Sequence, residues 1–499
     1  MILVRKTGLL LFFVAGLSAG ISAQTVGGKQ SLINYLNTLQ QQDGFGGAGI
    51  GICVKYADNG ETIAELNPTL ALVPASTQKL VTTAAAMLTL GESFRFKTEL
   101  QFDGTFDATT GSLNGNIYIR GGGDPTLGSD KFESTAIAKL LSALLAKLQE
   151  AGVKSINGQI IGDDSIFEQS MAPASWNWGD LGNYYGAGAC GLTILDNLFY
   201  IHFRSGTEAG DSTWVVNTEP AIPGMFLCNE VICGKKYSGD NAYIFGSEYN
   251  YQRYIRGTIP PGESDFTVKG SIPDPAYYAA FVLDEYLRGN GISISEQPTS
   301  VRLLKESKQR ITPVENRVVL GDIKSPVLSA IVKQINVYSN NLYAEHLHKM
   351  MAYKLYGTGS NTNGNDAIQK FWVKKGLDAE QLFVADGSGL SRNNAISARN
   401  LTQLLVLLTK EPCFESFYNS LPVAGKTGTL RSIGKGTVLE NNLHAKSGSM
   451  GRVRSYAGYV KNSKGREIAF SMIFNNFTGD SKEIREVCEL LMLKIAAVE

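Results

Sequence analysis

Stretches of alternating apolar and polar residues lie near both ends of this chain, with helical stretches between them. That arrangement restricts the fold more than any other feature of the sequence. Near the N-terminus a helix is expected over Gln30 to Gln42. Strands follow at Ala48 to Lys55 and Glu61 to Asn67, joined across Asp58-Asn59-Gly60, a strong hairpin turn signal. Near the C-terminus Leu443 to Met450, Ser455 to Lys461 and Arg466 to Asn475 read as a β-meander, followed by an amphipathic helix within Asp480 to Glu499. Helical periodicity occupies Ser325 to Tyr356, Ala367 to Lys375 and Ser397 to Leu408. Strands at both ends with helices between predict one α/β domain assembled from residues 24–93 and 301–499. Residues 94–300 differ in texture. Phe94 to Phe102, Asn116 to Arg120 and Gly158 to Gly162 read as strands among glycine-rich turns, and only Ala136 to Glu150 and Pro275 to Gly289 read as helices. They are read as a large β-rich insertion of one or two modules, although periodicity alone also fits a consecutive domain.

With 499 residues the chain can bury a large core in two or three domains. Its 46 basic residues balance 46 acidic ones with no long single-sign run, so nucleic acid and anionic membrane surfaces are not expected partners. Arg5 and Lys6, the apolar Leu9 to Leu17, and Ile21-Ser22-Ala23 read as a signal peptide over residues 1–23. The apolar run is shorter than the ~20 residues of a membrane span. The expectation is therefore a soluble, exported, periplasmic protein with no integral membrane segment after cleavage. Six cysteines are too few for a disulfide scaffold. Cys228 and Cys233 could close a small loop; Cys53, Cys190, Cys413 and Cys488 read as buried thiols, with one further bridge open. No metal site and no cofactor are expected.

Chemistry concentrates at three places. In Pro74-Ala75-Ser76-Thr77-Gln78-Lys79 the serine and lysine are three apart, so on a helix they share one face about a turn apart. A lysine kept neutral by desolvation can take the proton of such a serine. Four residues alone recur by chance, so the motif needs support. Tyr338-Ser339-Asn340-Asn341 opens a helix, and Ser339 and Asn341 could face one cleft; an N-cap turn explains the same residues. For a cation on a strand edge there are two matches. Lys426-Thr427-Gly428 lacks strand periodicity around it, whereas Lys446-Ser447-Gly448 lies inside an alternating segment, so Lys446 is chosen.

Ser76-x-x-Lys79, Ser339-x-Asn341 and Lys446-Ser447-Gly448, in this order, resemble the three active-site boxes of penicillin-binding proteins and serine β-lactamases. The long stretch between the first two boxes resembles the class C low-molecular-mass penicillin-binding proteins, the D-alanyl-D-alanine carboxypeptidase/endopeptidase family. Gly122-Gly-Asp-Pro-Thr-Leu127, Asp386-Gly-Ser-Gly-Leu-Ser-Arg392, Leu421-Pro-Val-Ala-Gly425 and Ala457-Gly-Tyr459 also match. Ser447 stands where threonine is usual and keeps the hydroxyl.

The resemblance implies a penicillin-binding-protein/serine β-lactamase-like transpeptidase domain, an antiparallel sheet with helices, carrying the β-rich insertion. It implies attack by Ser76 on the penultimate D-alanine carbonyl with Lys79 as base, and proton relay through Ser339. Asn341 would hold the peptide, and Lys446 would bind the terminal carboxylate and help lower the Lys79 pKa. Ser447 and Gly448 would line the substrate, and backbone N–H groups of Ser76 and Ser449 would form the oxyanion hole. Asp180, Arg392 and Met450 match a pocket for a diaminopimelate side chain. The implied partners are peptidoglycan stem peptides ending in D-Ala-D-Ala or cross-linked through D-Ala, with β-lactams as inhibitors. A β-lactamase and a catalytically idle peptidoglycan-binding protein are the rival readings.

Other motifs lead nowhere. Gly44-Phe-Gly-Gly-Ala-Gly49 precedes a strand instead of opening a helix, and Gly16-Leu-Ser-Ala-Gly20 falls in the signal segment. The four histidines, His202, His346, His348 and His444, offer no recognisable triad or metal motif.

Overall fold

The computed structural model describes residues 28–499. The expected signal segment, residues 1–23, lies outside the described residues.

The two ends of the chain do share one sheet. Its five antiparallel strands run in the order Thr62–Leu66, Gly49–Tyr56, Glu467–Asn475, Val453–Lys461, Leu443–Met450. The strand closing the chain thus pairs along its whole length with the strand that opens it, Gly49 to Asn475 through Tyr56 to Ile468. Period-two alternation serves two cores. In Glu467–Asn475, Ile468, Phe470, Met472 and Phe474 pack toward the helices Gly28–Leu39 and Ser481–Ala496, while Ala469 and Ile473 face the opposite layer. A strand covered on both faces reads as a continuous apolar run, as this one does. The opposite layer holds the helices Gln78–Leu90, Leu328–Tyr338, Asn341–Tyr356, Asn361–Lys374 and Ala398–Leu408.

Residues between these parts form separate sheets with their own core. One five-stranded sheet combines Lys97–Phe102, Ile117–Arg120, Ile160–Asp163, Thr299–Ser300 and Val318–Lys324. Two three-stranded sheets also belong to this unit, one of them built from Leu198–Ser205, Thr213–Glu219 and Phe266–Ser271. The helices Ile137–Glu150 and Pro275–Gly289 pack on this unit through Leu144, Leu148, Ala280 and Leu283. Pairing of Val318–Lys324 with Lys97–Phe102 carries sheet membership past the expected boundary at Ser300. That edge strand has no buried residue, and so no alternation to read.

The Cys228–Cys233 loop does not form, and all six cysteines are free thiols. Both residues lie on one strand, Phe226–Cys233. Five residues of extended chain span roughly 16 Å and turn the side chains to opposite faces, far beyond the ~7 Å that a disulfide tolerates between Cα atoms. Among the described residues no helix is long and apolar enough to cross a membrane.

Candidate active site

Ser76 sits on a single 3-10 turn, Ala75–Thr77, that runs directly into the helix Gln78–Leu90. Ala75 is held at φ 47°, a left-handed conformation costing a non-glycine residue about 1–3 kcal/mol. The surroundings fix it there. A Cβ on Gly389 would lie 1.9 Å from the Ala75 carbonyl oxygen, and one on Gly448 would lie 2.9 Å from the Ser76 nitrogen. Only glycine at both positions lets the strand Leu443–Met450 and the turn after Asp386 close on the half-buried serine from two sides.

Lys79 is fully buried, with its Nζ 3.0 Å from Ser76 Oγ, 2.6 Å from Asn341 Oδ1 and 2.6 Å from the Ser388 carbonyl oxygen. The last two atoms can only accept, so each takes one N–H. In the neutral amine those bonds use both protons and leave the lone pair for the Ser76 hydroxyl. Burial pushes Lys79 down to about 7, against the opposing pull of the Asp386 and Glu345 carboxylates. The amine is therefore neutral in a substantial fraction of molecules at neutral pH.

The chain between two helices supplies the next pair. Ser339 ends Leu328–Tyr338 in the left-handed region at φ 59°. Asn340 caps Asn341–Tyr356 by accepting from the Tyr343 N–H at 3.0 Å. Capping thus falls to Asn340, and Ser339 and Asn341 are left for the cleft. Asn341 Nδ2 donates to the Tyr185 carbonyl at 2.8 Å, tying this turn to the insertion.

Lys446 occupies the edge strand, fully buried, and donates to Ser339 Oγ at 2.9 Å and the Ser447 carbonyl at 2.8 Å. Burial, and then the charge of Lys79, push it well below the usual lysine range. The repulsion between the two lysines is mutual, and burial is the largest cause of the lowering of each. Lys426 is exposed on a turn and brings no cation to the cleft. Its neighbourhood is nevertheless in use, because Ser447 Oγ donates to Thr429 Oγ1 at 2.8 Å.

Sequence reasoning missed Glu345 behind the lysine and had Asp386 only as part of a matching motif, with no role for its carboxylate. Glu345 Oε1 accepts from the Ser388 N–H at 2.7 Å and Oε2 from the Gly387 N–H at 3.1 Å. Asp386 accepts from the N–H groups of Gly389 at 2.7 Å and Ser391 at 2.6 Å. It also accepts from Asn394 Nδ2 at 2.7 Å and from Trp176 Nε1 of the insertion at 2.8 Å. The turn that offers the Ser388 carbonyl to Lys79 is thus wrapped around two carboxylates. Burial and the Asp386 charge hold the Glu345 carboxyl well above its ordinary range. The available signal was spacing: Glu345 follows Asn341 by four on one helix, hence lies on the same face. His346 on that helix bonds Thr193 Oγ1 and the Gly123 carbonyl, both at 2.8 Å, and burial lowers it to about 3.

Ser76, Ser339, Asn341 and Ser449 line a cavity of about 720 Å³ together with Asp180, Arg392 and Met450. Asp180 Oδ1 accepts from Tyr185 OH at 3.1 Å, and Arg392 donates to the Gly451 carbonyl at 3.3 Å. The two side chains border one space without pairing with each other.

A serine hydroxyl 3.0 Å from a buried lysine amine, beside a second lysine–serine contact at a sheet edge, is the arrangement expected of an active-site serine hydrolase of the penicillin-binding class. Residues 32–493 match the profile of the D-Ala-D-Ala carboxypeptidase 3 (S13) family, and the chain belongs to that family. It is 26% identical over 446 residues to D-alanyl-D-alanine carboxypeptidase DacB of Haemophilus influenzae, covering 87% of each chain. Identity to the D-alanyl-D-alanine carboxypeptidase of an Actinomadura species is 28% over 445 residues, covering 87% of this chain and 79% of that protein. The crystal structure of penicillin binding protein 4 (dacB) from Haemophilus influenzae superposes with a TM-score of 0.76 at 25% identity, covering 92% of this chain and 97% of that one.

Glu345→Gln tests the platform. The amide can accept from only one of the two backbone N–H groups, so the anchor of Lys79 loosens. Acylation by benzylpenicillin is expected to slow at least tenfold, roughly the loss of one buried charge-assisted hydrogen bond. To the extent that Glu345 is ionised it raises Lys79, so its removal moves the acid limb of the rate profile to lower pH. Stopped-flow acylation across pH, with circular dichroism to check folding, reads both.

Proposed function

We propose that the chain hydrolyses D-Ala-D-Ala peptides of peptidoglycan through a Ser76 acyl-enzyme. The observation that supports this most is the Lys79 amine, 3.0 Å from Ser76 Oγ with its two other partners able only to accept. Lys79 takes the hydroxyl proton as Ser76 Oγ attacks the carbonyl of the penultimate D-alanine. The oxyanion forms against the backbone N–H groups of Ser76 and Ser449, where loss of one donor costs a few kcal/mol in comparable sites, about 3. Ser339, 2.9 Å from Lys446, relays that proton to the leaving amine. The peptide bond breaks and D-alanine departs, or the second stem peptide when the substrate is a cross-link. Water then cleaves the ester and restores Ser76.

Lys446 and Ser447 hold the terminal carboxylate. The arriving anion favours the ammonium form of Lys446, against the burial that lowers its pKa. Asn341 orients the peptide from the position it shares with Lys79 and the insertion. β-Lactams acylate the same serine by opening of the lactam ring. In this reading the described residues up to 93 and the chain after Lys324 form the peptidase domain, and the insertion spans the sheets between. Export to the periplasm, with the substrate outside the cytoplasm, completes the proposal.

Intact mass after incubation with benzylpenicillin tests the central step. The wild-type chain is expected to carry one stable adduct that Ser76→Ala lacks. Penicillin consumed without an adduct points to a β-lactamase, and neither adduct nor consumption to a binding protein.

Asp180, Arg392 and Met450 form the pocket for the free amino-acid end of a diaminopimelate side chain. Asp180→Ala is expected to lower kcat/KM on diaminopimelyl peptides several-fold more than on simple acyl-D-Ala-D-Ala, in paired steady-state assays. Equal losses would remove the assignment.

A further inference from the structure

Beyond the Asp180 pocket the cavity wall continues along the insertion in a definite order. Tyr185 bonds Asp180, and the Tyr184 ring stands 5.5 Å from the Tyr185 ring, edge to face. Lys269 Nζ then lies 5.8 Å from the centre of the Tyr184 ring and 5.9 Å from that of Tyr200. Tyr200 and Lys269 are cross-strand partners of Leu198–Ser205 and Phe266–Ser271, so a sheet fixes their separation. All four side chains border the same cavity as Ser76.

The charges on this wall are unequal in availability. Lys131 is engaged with the Asp196 carboxylate, and Arg392 belongs to the Asp180 pocket. Lys269 is exposed and forms no salt bridge among the described residues. Tyr184 is 51% exposed and Tyr200 36%, a large aromatic area to leave facing a cleft. Two rings beside an ammonium restrict a flexible side chain by cation–π attraction while leaving its N–H donors free. That is how a preplaced anion contact is built at low entropic cost.

We propose that Lys269, framed by Tyr184 and Tyr200, binds a free carboxylate on the acyl side of the substrate. The carboxylate belongs to the part of the acyl group that lies outward of the side chain entering the Asp180 pocket. The favoured substrate is thus an acidic acyl-D-Ala-D-Ala peptide. This rests on the peptidase reading above and extends it outward from the scissile bond.

Two acyl-D-Ala-D-Ala peptides differing only at that outer position, glutamate in one and glutamine in the other, supply the test. For the wild-type chain kcat/KM is expected to favour glutamate roughly three- to fivefold at low ionic strength, the scale of one exposed charge pair. The preference should shrink with added KCl. In Lys269→Met the ratio falls to about one, and in Lys269→Glu it inverts. Equal rates for the two peptides in the wild type, or a preference that survives Lys269→Met, would overturn the proposal. Calorimetric binding of both peptides to Ser76→Ala reads the subsite without turnover. A chain that binds glutamate peptide preferentially yet hydrolyses neither keeps the subsite and loses the peptidase reading.

Discussion

A lysine amine buried with no carboxylate bonded to it is the constraint around which this molecule is arranged. Lys79 contacts a hydroxyl, an amide oxygen and a backbone carbonyl, so no ion pair favours its charged form. The two nearest carboxylates act at a distance, through the field and through the backbone they hold. Burial alone would lower the lysine further, and bonding a carboxylate directly would return it to the ordinary range, where it is useless as a base. The turn from Asp386 to Ser391 sets the intermediate state, because its carbonyl faces the amine while its N–H groups face the acids.

That turn explains why the insertion belongs to the catalytic unit. Trp176 reaches from it to Asp386, Tyr185 offers its carbonyl to Asn341, and Lys349 on the second-box helix donates to the carbonyls of Ser170 at 2.6 Å and Ala189 at 3.2 Å. His346 adds a bond to Gly123. These four attachments lie along the segment that also forms one wall of the cleft. In the proposed mechanism substrate recognition and base positioning therefore share a scaffold, and a displacement of the insertion would alter both.

The legible parts of the sequence were those whose signal is local. Residue type and order marked Ser76, Lys79, Ser339, Asn341 and Lys446, and period-two alternation separated Lys446 from Lys426. The helices and the terminal meander were legible because their faces are buried on a regular period. What was hidden depends on contacts between distant segments. Glu345 is an ordinary letter until the fold stacks the second-box helix under the turn; Asp386 opens a recognisable motif, but its bond to Trp176 forms only across the insertion boundary. Val318–Lys324 is an edge strand without a buried face, so its pairing left no pattern. Cys228 and Cys233 looked like a loop because spacing says nothing of extension.

The account stands on Lys79 being neutral enough to act as a base in the folded protein. Its pKa can be followed directly by NMR titration of the chain carrying 13Cε-labelled lysine, with Lys79→Arg to assign the resonance. A midpoint near 7 is expected, from burial opposed by the Asp386 and Glu345 charges. A Lys79 resonance that stays in its ammonium position up to about pH 10, the ordinary lysine range, would contradict the mechanism.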